Sequence, residues 1–168
     1  SGHTKELATL LEVSRNVAST LELEPLLGLI LDQLKNVVDY SSATILGLEG
    51  EDLAVLACRD LTGQDEARQL CYRMEEALSH REVLLAQRPC IIPEVRGVTP
   101  LAGVFREAAG ERPGSAFGHV RSWMGIPLIA RDRTIGMLSL YHGEPDHYSP
   151  REAKLALVFA NQAATAIE

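Results

Sequence analysis

The sequence predicts an α+β domain built on a central antiparallel sheet that is covered on both faces, and three observations lead there. Residues 122–142, "SWMGIPLIARDRTIGMLSLYH", read as a hairpin around a charged turn, and neither strand alternates between apolar and polar residues. In its first strand Trp123, Gly125, Pro127 and Ile129 share one face, and Met124, Ile126, Leu128 and Ala130 share the other. Neither face is polar enough to meet water, so each needs a cover. Helical patterns stand at both ends of the chain. Between them residues 96–121 form a long connection dotted with Gly and Pro, and in a compact domain such a length marks a lid or a binding loop.

Composition limits the function classes. A chain of 168 residues is one domain by size, and 46% hydrophobic with 23% charged residues is a globular balance. The net charge of −7 argues against nucleic acid, and the scattered Lys and Arg argue against an anionic membrane surface. No apolar stretch nears the roughly 20 residues that cross a bilayer, and no signal peptide opens the chain. Cys58, Cys71 and Cys90 are odd in number and lack C-x-x-C spacing, which reads as reduced thiols in a cytoplasmic domain. Ser1-Gly2-His3 reads as a cloning remnant, leaving residues 4–168 as the domain. The chain starts and stops inside apparent helices, the expected look of a module cut from a longer protein.

Each element has its own signal. In residues 4–21, Leu7, Leu10, Ser14, Val17 and Leu21 recur at spacings of three and four, which fits a coiled-coil seam or a helix packed on its own domain. Pro25 suits the first turn of a second helix, whose stripe is Leu27, Ile30, Leu31, Leu34 and Val38. Residues 43–48 and 53–57 read as strands joined by a polar turn at 49–52. Residues 64–87, without Pro or Gly, read as helical. "PCIIPEV" at 89–95 is a short strand bracketed by prolines, hence peripheral. Residues 101–109 read as a short helix inside the long connection. Pro127 is awkward in a central strand and predicts a bulge or a position outside the ladder. Ser149-Pro150-Arg151-Glu152 is a capping box with Pro at the first helical position, and it starts a closing helix over 150–168.

These residues carry a resemblance. "RSWMGIPLIARDRTIGMLSLYHGEPDHYSPREAKLALVFANQAATAIE" resembles the C-terminal half of a GAF domain, with its S-x-h-x-h-P-h strand, charged turn, h-G-h-h-x-h return strand and final A-x-Q-A-x-x-A-I-E. "LAQRPCIIPEV" is similar to the family's third strand, and "LLGLILDQLKNVVDYSSATILGLE" to its opening helix and first strand. The resemblance implies a GAF-like, PAS-related sheet of about six strands. It implies N- and C-terminal helices on one face and a helix/loop lid on the other. Any ligand would then lie under the β3–β4 connection, here residues 94–121.

Candidate chemistry is sparse. No G-x-x-x-x-G-K, G-x-G-x-x-G, G-x-S-x-G or H-E-x-x-H is present. One branch of the GAF family reduces free methionine sulfoxide with two cysteines, but the spacing of Cys58, Cys71 and Cys90 does not match it. Bilin-bearing relatives often show Cys followed by His, whereas Tyr72 follows Cys71 and Ile91 follows Cys90. The N-K-x-F-D-E signature of the cyclic-nucleotide branch has no counterpart. The sequence therefore speaks against bilin and cyclic nucleotides. Haem through the lone His119 is weakly supported. His142 and His147, near Glu144 and Asp146, read as a solvated turn rather than a metal site. If a cavity exists, its candidate lining is Phe105, His119, Arg121, Trp123 and Tyr141: aromatic walls with polar tips, and an arginine for an anion.

The expectation is a non-catalytic sensory or regulatory module of a cytoplasmic signalling protein, as in histidine kinases. It would dimerise through 4–21 and 150–168 and pass a signal to a downstream effector domain. The alternatives are a ligandless structural dimerisation module and a thiol-dependent methionine sulfoxide reductase.

Overall fold

The computed structural model describes residues 22–49, 52–59, 87–109 and 119–168. The expected helix 4–21, nearly all of the expected helix 64–87, Cys71, the tip of the first turn and residues 110–118 lie outside the described residues. Gln87, the last residue of that second helix, is a turn residue with φ 51°.

Helix α1 spans residues 22–35 and is already formed ahead of Pro25. Its buried stripe is the expected one: Leu27, Ile30, Leu31 and Leu34, continued by Val38 just past the helix. Strands β1 (Ser42–Glu49), β2 (Asp52–Arg59) and β3 (Cys90–Ile92) follow, then helix α2 (Pro100–Ala109). The hairpin is β4 (Ser122–Ala130) and β5 (Arg133–His142), and the closing helix is α3 (Pro150–Ile167). Among the described residues the sheet has five strands in the order β2-β1-β5-β4-β3, with every pairing antiparallel. The resemblance implied about six. β3 is an edge strand, where prolines flanking it break no ladder.

The sheet is sandwiched. On one side Ala43, Ile45, Met124, Ile126, Leu128, Leu138 and Leu140 pack with the α1 stripe and with Ala153, Ala156, Ala160, Ala163 and Ala164 of α3. The alanines allow α3 to lie close against the hairpin. On the other side α2 brings Ala102 and Phe105, both buried, over the strands. Ser122 to Leu128 and Gly136 to His142 are buried throughout, which is why neither strand alternates in polarity.

Pro127 is not at the bulge. It pairs with Met137, and the register shift falls one step later, between Leu128 and Ile129. β3 reaches only as far as Gly125, so at Pro127 no described strand flanks β4 on that side and no ladder bond is lost there. Arg131 and Asp132 form the hairpin turn with φ of 52° and 63°, the left-handed pair that suits a two-residue connection. At the start of α3 the Glu152 carboxylate accepts the Ser149 N–H at 2.8 Å and also the Ser149 hydroxyl, which holds its carboxyl below the usual range.

Candidate functional site

Residues directly opposed in antiparallel strands point to the same face, so the register lays out the α2 side of the sheet row by row. The central row is Cys58–Thr44–Ser139–Gly125–Cys90, one residue from each of the five strands and none of them large. A row of bulk runs on either side of it. One is Ser42–Tyr141–Trp123–Ile92, and the other includes Leu46–Met137–Pro127. Successive same-face positions on a strand are about 7 Å apart, so on the sheet's own surface the small row is the floor of a trough between two walls, and Ser42, Thr44, Ser139, Trp123 and Tyr141 along it are fully buried beneath what packs there.

The aromatic wall contains three of the five expected site residues. The Phe105 ring lies 6.3 Å from Trp123 and 6.4 Å from Tyr141, tilted by 48° and 53°. All three are fully buried. Trp123 leans along the trough: a Cβ added to Gly125 would fall 2.4 Å from its Cη2 and 3.2 Å from the Met137 sulfur. Glycine at 125 is therefore what gives the indole its place.

The polar content of this face was not legible in the sequence. Ser42 Oγ, Thr44 Oγ1, Ser139 Oγ and Trp123 Nε1 are buried without a hydrogen-bond partner. All four sit on the α2 side by register. A buried polar group left unpaired costs about 1–3 kcal/mol, so four on one face call for an explanation. Ser139, a hydroxyl inside "GMLSLYH", was the one available signal. Thr44 reads as an ordinary β-branched strand residue.

The other two expected residues stand apart from the trough. His119 is exposed in a turn at the start of the last described segment. Arg121 is committed to Glu94, whose carboxylate takes both guanidinium arms at 2.9 and 2.7 Å. That fork holds Glu94 below the usual carboxylate range and fastens the connection after β3 to the foot of β4. Arg106 of α2 donates to the carbonyls of Val95 and Gly97, both at 2.6 Å. Neither arginine is free to hold an anion.

The cysteines in the floor occupy its two ends. Cys58 and Cys90 stand on opposite edge strands, four strand spacings or about 19 Å apart, too far for thiol–disulfide chemistry between them. Burial also pushes the Cys90 thiol up from its ordinary value.

A second polar cluster lies at the C-terminal end of β5, beside Tyr141. His142 and His147, expected in a solvated turn, instead stack at 3.5 Å and 7°, and His142 is 9% exposed. One ligand-type atom from each of Asp39, His142 and His147 falls within 4.8 Å of the others. The geometry does not suit an ion as it stands. Glu144 N–H donates to His142 Nδ1 at 3.0 Å, which leaves Nε2 carrying the hydrogen that points to Asp39 at 3.3 Å. Two parallel rings also cannot both direct a lone pair at one ion. The cluster instead ties the loop before β1 to the loop before α3, helped by Tyr148 and His147 at the Asp39 carbonyl.

The layout of a sheet between terminal-type helices and a lid helix can be set beside known proteins. The family model described as "GAF domain" matches residues 20–168. The chain belongs to the GAF domain family. It is similar to the regulatory protein LuxO of Vibrio cholerae, 25% identical over 163 residues, covering 92% of this chain and 28% of that protein. The GAF domain thus spans under a third of the curated relative it matches. Among solved structures it is similar to the GAF domain of a phosphoenolpyruvate-protein phosphotransferase from Coxiella burnetii (TM-score 0.65, 18% identity, 99% of this chain and 95% of that one). It is also similar to a type II free methionine-R-sulfoxide reductase from Thermoplasma acidophilum (TM-score 0.64, 13% identity, 89% and 94%). At these identities the likeness is one of fold. No helix among the described residues is long and apolar enough to cross a membrane.

Proposed function

We infer that this GAF domain is a non-catalytic sensory module of a larger cytoplasmic signalling protein, such as a histidine kinase. It would hold a small molecule in the trough beneath α2. The observation that carries the reading is the set of four buried, unpartnered polar atoms beside three aromatic rings on the lid side. A ligand that pairs those atoms would be bound more tightly by one packing of α2 than by another, and only such a difference can move an equilibrium. Arg121–Glu94 and the Arg106 carbonyl contacts link α2 and the connection before it to β4. α3 packs on the opposite face of that strand, so a shift in the lid has a mechanical route to the closing helix. Residues 4–21 and 150–168 are the proposed homodimer contact and path to an effector.

The separation of Cys58 and Cys90 supports the non-catalytic reading against the reductase fold-mate. Native mass spectrometry of the purified protein, with an absorbance scan, tests the sensory reading. A bound mass lost on denaturation is the expected result. A ligand-free protein that no metabolite panel stabilises would favour a purely structural module. Sedimentation at high micromolar concentration tests the dimer, and a strict monomer would count against it.

A further inference from the structure

The proposed sensory role makes no use of the charged turn Arg131-Asp132-Arg133, and a cleft of about 500 Å³ opens beside that turn. It lies at the hairpin end of the sheet, where the last residues of α3 meet the ends of β1, β4 and β5. Its apolar lining is Leu48, Ala130, Ile135 and Ile167, each only half-buried. Arg131 and Arg133 stand on its rim with Glu168, whereas Asp132 is not part of the lining. Arg131 Nε holds the Glu168 carboxylate at 2.6 Å, an exposed pair and therefore a weak one. Arg133 has no ion-pair partner among the described residues. The rim is thus a net positive spot on a chain whose formal charge is −7. The turn that carries it is fixed by left-handed φ angles of 52° and 63°, and the Gln87 amide donates to the Asp132 carbonyl at 2.9 Å.

We propose that this cleft binds a small amphiphilic anion, an aliphatic or aromatic carboxylate. Its apolar body lies on Leu48, Ile135 and Ile167, and its head meets Arg133. The volume falls within the roughly 300–1,000 Å³ of small-molecule sites. Charge selects the sign of the guest. A cation would face two guanidiniums, and a neutral guest would forgo the charge-assisted, bidentate bond that a guanidinium gives a carboxylate. A bare inorganic anion would leave the four apolar side chains in water. Binding also reaches the closing helix. A carboxylate at this rim competes with Glu168 for Arg131, and Glu168 caps α3, its N–H donating to the Ala164 carbonyl at 3.0 Å. A guest that takes Arg131 releases the end of α3 from the hairpin turn, and its tighter binding to the released state shifts that equilibrium. The site stands whether or not a ligand lies beneath α2.

The test uses the whole 168-residue protein and five probes: hexanoate and benzoate, their amides hexanamide and benzamide, and inorganic phosphate. Calorimetry reads affinity, and the backbone amide resonances of Ala130, Arg133, Ile135 and Ile167 read location. At least one carboxylate should bind about 10-fold or more tightly than its amide and than phosphate, and should move those resonances. Arg133→Gln should weaken that binding by about 10-fold and leave the melting temperature unchanged, because Arg133 is exposed. Glu168→Gln, which frees Arg131, should tighten it by about 2- to 5-fold. An amide or phosphate that binds as well as the carboxylates overturns the ligand class. Silence from both carboxylates overturns the site, as does an Arg133→Gln protein that binds like the parent. Shifts centred on the Trp123 indole N–H would move the guest beneath α2 and overturn it too. A Glu168→Gln protein that binds no better overturns the link to α3.

Discussion

Gly136 sets how closely β1 and β5 approach, and the Thr44–Ser139 pairing depends on that approach. A Cβ at Gly136 would lie 2.1 Å from the Leu46 carbonyl oxygen. Carbon and oxygen tolerate about 3.3 Å, so the strands must part by roughly 1 Å locally. A ladder bond of about 2.9 Å stretched that far is no longer a hydrogen bond. Losing one or two such bonds, at about 0.5–1.5 kcal/mol each, adds to an overpacking penalty of about 1–3 kcal/mol. Stiffening the unfolded chain returns about 0.4–1 kcal/mol. Gly136→Ala should therefore destabilise by about 2–3 kcal/mol, which for a domain of this size is a fall of about 4–12 °C in Tm. Gly103, in α2, is the control, because its added Cβ would meet only Arg106 Nη2 at 3.8 Å. Gly103→Ala should stabilise by about 0.4–1 kcal/mol, since alanine favours the helix and glycine frees the unfolded chain. Urea unfolding followed by circular dichroism measures both. A Gly136→Ala protein within about 0.5 kcal/mol of the parent would refute the β1–β5 register from which the trough is built.

Three further outcomes follow from other parts of the fold. Asp132 holds a left-handed φ of 63° in the hairpin turn, and relief of about 1–2 kcal/mol less about 0.4–1 kcal/mol for the freer unfolded chain means Asp132→Gly should stabilise by about 0.5 kcal/mol in the same assay; a loss would contradict that turn. Hydrogen bonds from Arg59, Arg121 and Ser149 lower the carboxyls of Asp32, Glu94 and Glu152 below their ordinary values of 3.8, 4.5 and 4.5. Their stabilisation is complete above those values and is lost as pH falls through the lower folded ones. Tm should be flat down to about pH 5 and then drop, and a rise on acidification would oppose the assignment. Cys90, pushed above its ordinary 9.0 by burial, should react with iodoacetamide more slowly at neutral pH than free cysteine does. No intramolecular Cys58–Cys90 disulfide should form under oxidant, as peptide mapping would show.

Much of the fold was legible because it rests on periodicity and local chemistry. The two greasy faces of 122–142 required a sandwich, and the structure buries both. The α1 stripe, the proline-bracketed edge strand and the Ser149 capping box follow from windows of a few residues, where spacing alone decides which atoms meet. For Pro127 the residues left a bulge and a position outside the ladder both open, and the second holds on the β3 side, because the choice depends on where the neighbouring strand stops, which no local window contains.

The candidate site divides the same way. Phe105, Trp123 and Tyr141 stand out in a sequence with few aromatics, and the structure brings them together. Arg121 looked available and His142 looked solvated because their partners, Glu94 and Asp39, lie 27 and 103 residues away.

By itself the sequence determined that this chain makes a covered antiparallel sheet with helices at its flanks, since the burial pattern of each strand and helix is written in its own residues. Only the tertiary structure decided that Cys58, Thr44, Ser139, Gly125 and Cys90 form one row with four unanswered polar atoms in and beside it. The physical reason is register: sliding one strand by a single residue turns its whole set of side chains to the other face, and that alignment is settled by packing between distant segments.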